Sequence, residues 1–163
     1  MRCLVRQSRP DLGWIKNLPI EVVRGSYYDV DSLKAAARDA DYVLHIAGVT
    51  KAKRPGEYHD GNVLATKNLL EAVLSDSRLK KFTFVSSLTA AGPSPDGSPL
   101  HEDSPSAPIT PYGVSKLEAE TKAAEQAKAV KQAEATSNGG AVEQDSKNKV
   151  TRVKTEQESQ AAG

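Results

Sequence analysis

Two side chains suited to proton transfer lie four positions apart in this chain, Tyr112 and Lys116. On a helix this spacing puts both side chains on the same face. A lysine ammonium beside a phenol favours the phenolate, so it lowers the tyrosine pKa from about 10 toward neutral pH. Such a tyrosine can act as a general acid or base toward a hydroxyl or carbonyl group. The spacing also occurs on ordinary solvated helices, so the surrounding sequence must distinguish the two interpretations.

Ser86 and Ser87 precede this pair and directly follow the apolar residues 82 to 85. A buried strand ending in serines would present their hydroxyls where parallel sheets bind their ligands. A serine hydroxyl there can hydrogen-bond the same substrate oxygen as the tyrosine. Residues 91 to 111 are rich in Pro, Gly and Ser and form a long connection, and such loops are often functional.

The elements that must position these residues follow an α/β pattern. Short apolar runs predict strands at residues 2–6, 20–24, 42–47 and 82–86, and the third run is apolar enough for burial on both faces. Helices are predicted at residues 33–38, after the segment of residues 29–32 that offers a helix N-cap, at residues 62–74, and at residues 112–135. This alternation predicts parallel βαβ units with right-handed crossovers.

Composition sets the broad class. The 163 residues suit one domain, and 38% hydrophobic with 26% charged residues is ordinary for a soluble protein. A net charge of +1 argues against nucleic acid or membrane as a partner. The single cysteine, Cys3, excludes an intrachain disulfide and a cysteine-based zinc site. No apolar run approaches the roughly 20 residues that span a bilayer, so a cytoplasmic location is predicted.

The C-terminal part differs in composition. Residues 136 to 163 are mostly Ser, Asn, Gly, Gln, Lys and Glu, without an aromatic residue. Such a segment buries too little apolar surface to offset its ordering entropy. The predicted organisation is therefore a folded α/β part at residues 1–120, a helix extension at residues 121–135, and a disordered polar tail at residues 136–163.

The run FTFVSSLTAAG at residues 82–92, followed by PYGVSKLEAE at residues 111–120, resembles the catalytic region of extended short-chain dehydrogenases/reductases. That NAD(P)-dependent family includes epimerases, dehydratases, and enzymes like dihydroflavonol reductases and 3β-hydroxysteroid dehydrogenases. The resemblance implies that Tyr112 is the catalytic acid/base. It implies that Lys116 tunes the tyrosine and binds the cofactor ribose, and that Ser87 is the catalytic serine, with Ser86 as the alternative.

Two upstream segments extend the resemblance. The run HIAGV at residues 45–49 is similar to a segment that passes beside the cofactor, which makes Ala47 and Gly48 cofactor-binding candidates. The run NVLATKNLL at residues 62–70 is similar to a helix whose first residue, Asn62, supports the active-site strand and the cofactor region. Taken separately, the first segment could also be a strand end followed by a turn, and the second could be an ordinary amphipathic helix.

The resemblance also bears on the choice of cofactor. Arg6 ends a segment similar to the family's second strand, with Arg9 close by, and a basic residue there accommodates the 2′-phosphate of NADP. NADP is therefore favoured over NAD, with solvated surface arginines as the other interpretation. Ser26 stands where related sequences have an aspartate that contacts adenine, and a serine can still hydrogen-bond there.

The sequence departs from the family pattern at both ends. The Gly-rich turn that receives the pyrophosphate is not found, and the resemblance begins at the second strand. Nothing after the Tyr112 helix resembles the family's substrate loop or small C-terminal domain. The predicted fold is therefore a partial Rossmann-like, doubly wound parallel sheet that lacks its first βα unit and the C-terminal substrate domain, with a long C-terminal helix and a disordered tail. On this interpretation the chain is a fragment.

The expected function is that of an NAD(P)-dependent oxidoreductase, epimerase or dehydratase acting on a secondary alcohol or ketone, impaired in a truncated chain. The alternative is a non-catalytic remnant, or a module that dimerises through the Tyr112 helix, as relatives form homodimers. The expected partner is a small-molecule substrate, not nucleic acid or membrane. Sugar nucleotides, flavonoids and steroid-like compounds remain open as substrates. Without its central strand, the sheet would expose an apolar edge at residues 42–47.

Overall fold

A computed structural model of the chain describes residues 1–8, 12–74, 78–137 and 150–153. The strands are β1 (Arg2–Arg6), β2 (Glu21–Gly25), β3 (Tyr42–His45), β4 (Lys81–Val85) and β5 (Val150–Val153). The helices are α1 (Val30–Ala37), α2 (Pro55–Tyr58), α3 (Ala65–Leu74) and α4 (Pro111–Ser137), with 3-10 turns at Gly13–Ile15 and Leu88–Ala90 and a π-helix at His59–Leu64.

All strand pairs are parallel, which confirms the predicted α/β class. β1 pairs with β2, and the second sheet has the order β3-β4-β5. The first and last residues of each predicted strand agree with those of an observed strand to within two residues. Within the predicted capping segment of residues 29–32, Asp29 caps α1, because its carboxylate accepts hydrogen bonds from the backbone amides of Asp31 and Ser32.

The polar tail differs from its prediction at one place. Val150–Val153 form β5 and pair with β4, with Phe82 opposite Val150 and Val85 opposite Val153. Disorder was therefore the wrong expectation for these four residues, because β4 offers a free edge whose donors and acceptors a short Val- and Thr-containing segment can satisfy. The rest of the predicted tail beyond α4 lies outside the described residues.

The hydrophobic core lies on one face of the β3–β4 sheet, under α1, α3 and α4. Phe82 and Phe84 alternate along β4 and are almost fully buried. The other members of the cluster come mainly from the three helices: Leu33, Leu69, Leu70, Ala72, Val73, Leu79, Ala119 and Ala123. This packing holds the carboxyl end of β4 against α4, where the candidate site residues lie.

The opposite face of β3 is open. Tyr42, Leu44 and Ile46 are 69%, 61% and 64% exposed, whereas His45 is buried on the helical side. Parallel strands are normally buried on both faces. Among the described residues β3 pairs only with β4, so the other edge of β3 has no strand partner there. This is the apolar edge that the sequence predicts.

The long loop between β4 and α4 closes on itself. The amide of Ala107 donates a hydrogen bond of 2.8 Å to the carbonyl oxygen of Ala91. Gly92 adopts a φ of +83°, and a Cβ there would collide with the carbonyl of Ala107. The two ends of the loop therefore meet at a narrow neck, which glycine alone fits without strain.

Candidate active site

Ser86 and Ser87 directly follow β4, and both are buried. The Ser87 side chain caps the 3-10 turn Leu88–Ala90, because its Oγ accepts a hydrogen bond from the amide of Thr89. The same Oγ lies 2.9 Å from the Thr89 hydroxyl. Two hydroxyl groups therefore lie side by side at the carboxyl end of the strand.

The first turn of α4 fits closely against this turn. The Gly113 amide donates to the Thr110 hydroxyl, and a Cβ at Gly113 would collide with the carbonyl oxygen of Thr89. Tyr112 is half-buried, and its ring centroid lies 5.9 Å from that of Tyr58, with the two ring planes at 55° to each other. The start of α4 is thus fixed against both the serine strand and α2.

Lys116 is buried one turn further along α4. Its Nζ donates a hydrogen bond of 2.9 Å to the carbonyl oxygen of Val85 and lies 4.2 Å from the centroid of the Phe84 ring. Burial lowers the Lys116 pKa to about 8, against an opposing effect of Glu120. The described hydrogen bonds of Lys116 do not include the Tyr112 phenol, so a role in tuning the tyrosine stays a prediction.

Asn62 connects three parts of the site. Its Oδ1 accepts from the amide of Val49 at 2.6 Å, and its Nδ2 donates to the carbonyl of Val49 and to the Ser115 hydroxyl. The Ser115 hydroxyl in turn donates to the carbonyl of Tyr112 at 2.7 Å. A Cβ at Gly48 would lie only 2.8 Å from the Asn62 Oδ1, so the glycine makes room for this amide.

His45 extends the same hydrogen-bonded group toward the core. Its Nε2 lies 3.0 Å from the Thr66 hydroxyl, which donates to the carbonyl of Asn62. Its ring also contacts those of Tyr27, Phe82 and Phe84. Burial, with a smaller contribution from the charge of Lys116, lowers the His45 pKa to about 4. The imidazole is therefore neutral at pH 7.

The remaining cofactor candidates lie near the carboxyl ends of their strands. Arg6 is exposed at the end of β1, and its carbonyl accepts a hydrogen bond from the side chain of Arg24. Ser26 follows β2, and its hydroxyl accepts from the amide of Tyr28. Ala47 is exposed two residues after β3. Arg9, the second arginine of the cofactor prediction, lies outside the described residues.

Five residues of this region were given no role on the basis of the sequence: His45, Tyr58, Thr66, Thr89 and Ser115. Ser115 had a usable signal, because it precedes Lys116 at a position of α4 that faces inward with it. His45 had one as well, since it is the only ionisable residue in the apolar run of residues 43–47. Tyr58 and Thr89 depend on contacts between distant elements, which spacing along the chain does not reveal.

The described residues fit a nicotinamide dinucleotide in part. Ser87, Tyr112 and Lys116 carry hydroxyl, phenol and ammonium groups, which are groups that can hydrogen-bond a ribose. No Gly-rich strand–turn–helix suited to the diphosphate occurs within the described residues. The amino end of α1 does not replace it, because the Asp29 carboxylate already accepts from its free amides and would repel a phosphate.

No group of three or more His, Cys, Asp or Glu side chains in the described residues could hold a metal ion. Within that same part of the chain, every helix is too short or too polar to cross a membrane.

A family model described as "NAD dependent epimerase/dehydratase family" matches residues 3–137, which include every candidate site residue. UDP-glucose 4-epimerase 2 of Oryza sativa subsp. japonica is 43% identical over 84 residues, covering 49% of this chain and 20% of that protein. The chain thus matches about a fifth of that relative's length.

Solved structures give the same fold. UDP-glucuronic acid 4-epimerase from Bacillus cereus, in complex with NAD, has a TM-score of 0.60 and 30% identity, over 69% of this chain and 36% of that one. MoeE5 in complex with UDP-glucuronic acid and NAD has a TM-score of 0.66 over 94% of this chain and 44% of its own. Its 24% identity supports the fold alone.

Proposed function

Because the chain belongs to the NAD-dependent epimerase/dehydratase family, we propose that it carries the acid–base part of an NAD-dependent reaction at a secondary alcohol or ketone. The observation that supports this proposal is the docking of the first turn of α4, which bears Tyr112, against the turn that Ser87 caps. This packing brings a phenol and a buried hydroxyl to the same end of β4, with the Lys116 ammonium one turn away.

The proposed roles follow from the chemistry of each side chain. Tyr112 takes the proton from the substrate hydroxyl as the carbon is oxidised, and returns it on reduction. Ser87 donates a hydrogen bond to the same oxygen and so orients it. Lys116 stabilises negative charge near the phenol and offers donors to a ribose. Bound NAD would supply the chemistry of accepting the hydride from the carbon and returning it.

We further propose a nucleotide sugar as the substrate, in preference to a flavonoid or steroid-like compound. A similar curated protein is named for UDP-glucose, and a similar solved structure is named for UDP-glucuronic acid. NAD is the first choice of cofactor because it is named in the family description and in the similar complexes. A preference for NADP would instead require the exposed Arg6 side chain to bind the 2′-phosphate, and a separate experiment tests this.

The test is a fluorescence titration of the chain with NADH and with NADPH. Lys116→Met is expected to weaken dinucleotide binding by about tenfold or more, since a charged hydrogen bond contributes roughly 1.5–3 kcal/mol. Tyr112→Phe should change the affinity by no more than about twofold while abolishing turnover of UDP-glucose. Absence of binding of either dinucleotide at millimolar concentration would overturn the proposal.

The cofactor choice has its own test. If Arg6 receives a 2′-phosphate, Arg6→Glu should weaken NADPH binding selectively and leave NADH nearly unchanged. The matched control is Arg24→Glu, on the neighbouring strand. Equal affinity for both dinucleotides in the unchanged protein and in both variants would show that Arg6 does not select the cofactor.

A second candidate function is association without catalysis. It is favoured by α4, which continues to Ser137, well beyond the turns that carry Tyr112 and Lys116. On this proposal two copies pack through α4. Sedimentation velocity over a range of concentrations tests it, and a single monomeric species at every concentration would exclude it.

A further inference from the structure

The loop between β4 and α4 holds every Ser-Pro and Thr-Pro dipeptide of the chain. They are Ser94-Pro95, Ser98-Pro99, Ser104-Pro105 and Thr110-Pro111. A residue before proline is held in an extended conformation, because the proline ring clashes with the helical one. An extended hydroxyl residue followed by proline is the acceptor that proline-directed protein kinases recognise. The loop therefore offers such a kinase four acceptors, which differ in how the structure presents them.

Thr110 and Ser104 use their side chains within the fold. The Thr110 hydroxyl accepts a hydrogen bond of 3.0 Å from the Gly113 amide in the first turn of α4. A kinase could take up Thr110 only if this turn unwound. The Ser104 hydroxyl accepts a hydrogen bond of 2.8 Å from the His101 amide, and Ser104 is half-buried. Both acceptors are therefore protected by the folded chain.

Ser94 is held close to the neck of the loop, where the amide of Ala107 bonds to the carbonyl of Ala91. It is half-buried, and its hydroxyl donates to the Asp96 carboxylate at 3.1 Å. A kinase binds several residues on each side of its acceptor. Because Gly92 packs against the carbonyl of Ala107, those residues could be taken up only by opening the neck.

Ser98 lies in the loop tip, residues 93–106, which is the part of the loop beyond the neck. Residues 95–103 are exposed without interruption, and Ser98 is the Ser-Pro acceptor within this run. A turn at Gly97, with a φ of +80°, directly precedes it. An enzyme can therefore bind the segment on both sides of Ser98 without separating the neck, β4 or α4.

The surroundings of Ser98 are acidic. The Asp96 carboxylate accepts a hydrogen bond of 3.0 Å from the Ser98 amide. This bond, together with those from the hydroxyls of Ser94 and Ser98, holds the pKa of Asp96 below its ordinary value. A phosphoserine carries about −1.5 to −2 charges at pH 7 and no longer has the hydroxyl donor. A phosphate on Ser98 would therefore repel the Asp96 carboxylate and open this turn.

We propose that Ser98 is the phosphorylation site of a proline-directed protein kinase. The Ser98 Oγ attacks the γ-phosphorus of ATP, and a new O–P bond forms. The bond from the γ-phosphorus to the oxygen shared with the β-phosphorus breaks, ADP leaves, and the hydroxyl proton passes to the catalytic aspartate of the kinase. The added charge opens the turn at Asp96, and the neck confines this change to the loop tip. The proposal is independent of dinucleotide binding and of turnover.

The test incubates the chain with Mg·ATP and a purified mitogen-activated protein kinase, and mass spectrometry locates the phosphate. Ser98 should be modified at least about fivefold faster than the other three acceptors, because each of those must first break hydrogen bonds of the fold. Pro99→Ala should abolish modification of Ser98. Pro105→Ala is the matched control on the neighbouring dipeptide, and it should leave the modification of Ser98 unchanged.

A peptide of residues 91–111 shows whether the kinase accepts these dipeptides outside the fold. Phosphate on the peptide but not on Ser98 of the chain would overturn the proposal, and so would the absence of phosphate on both. Earlier modification of Ser104 or Thr110 in the chain, or modification of Ser98 that persists in Pro99→Ala, would overturn it as well.

NMR spectra of the chain phosphorylated at Ser98 test the local effect. The pKa of Asp96 should rise, because its carboxylate loses a hydroxyl donor and gains a negative neighbour. The amide resonances of Ala107 and Tyr112 should stay in place, because the neck separates them from the tip. An unchanged Asp96, or shifts that extend into α4, would contradict an opening confined to the loop tip.

Discussion

Among single residues, Asn62 contributes most to holding the candidate site together. Its amide joins the backbone after β3 to the first turns of α4, through Val49 on one side and Ser115 on the other. Buried polar groups are stabilising when every donor and acceptor is satisfied, and losing one partner leaves the other desolvated without compensation.

Ser115→Ala should therefore lower the free energy of unfolding by about 1–3 kcal/mol, because the Asn62 Nδ2 loses a buried acceptor. Thr121→Ala is the matched control, since the Thr121 hydroxyl also donates to a carbonyl of α4 but is exposed. The control should change stability by less than about 0.5 kcal/mol. Urea denaturation measures both, and equal losses would show that the buried contact has no special role.

His45 predicts a dependence of stability on pH. Its pKa is about 4 in the folded chain, against 6.5 as the ordinary value. Between pH 6.5 and pH 4 the unfolded state therefore binds more protons, so lowering the pH through this window favours unfolding. The melting temperature should fall there, and the ring resonances should titrate near pH 4 in NMR spectra.

The control for this effect is His45→Gln, which keeps a polar group beside Thr66 but does not titrate. Its melting temperature should vary less with pH between 6.5 and 4 than that of the unchanged protein. Identical curves for the two proteins would mean that carboxylates elsewhere cause the acid destabilisation.

Among the secondary structure elements, α4 and the turn after β4 fit closely together at Gly113. Gly113→Ala should destabilise the chain by about 1–3 kcal/mol, since its Cβ meets the carbonyl of Thr89 and forces the helix away. Gly56→Ala is the matched control, because no atom lies within 4 Å of the added Cβ. That change in α2 should be neutral or stabilise by up to about 1 kcal/mol. Scanning calorimetry measures the stability of both variants. If neither variant differed in stability from the unchanged protein, the close fit at Gly113 would be contradicted.

The elements differ in how far the sequence predicts them. β3, β4 and the start of α4 were predicted because an apolar run and a helix of strong formers are local signals. β5 was not, because a Val-Thr-Arg-Val segment in a polar tail becomes a strand only when the edge of β4 is available. The hydrogen bond from Lys116 to the Val85 carbonyl likewise depends on how α4 packs against β4, which residue spacing does not fix.

In the whole molecule, the two sheets differ in how many buried apolar residues pack around them. The core cluster is built from α1, α3, β4 and α4 together with Leu79. The buried large apolar residue of β1 and β2 is Val5, which lies outside that cluster. Regions with few buried apolar contacts open at lower free energy.

Native-state hydrogen exchange should therefore show β1 and β2 opening before β4. The amides of Leu4 and Val23 should exchange through openings of lower free energy than those of Phe82 and Phe84. A single opening free energy across both sheets would contradict this order.

The narrow neck between Ala91 and Ala107 has a consequence for how such a chain can diversify. Because the two ends of the loop are joined, residues added at its tip do not disturb β4 or α4. Each doubling of a flexible loop's length costs only about 0.6 kcal/mol of closure entropy. Insertions and deletions can therefore accumulate beside Tyr112 while the tyrosine and its helix stay in place. The loop next to the candidate site can therefore change in length between lineages without moving Tyr112 or its helix.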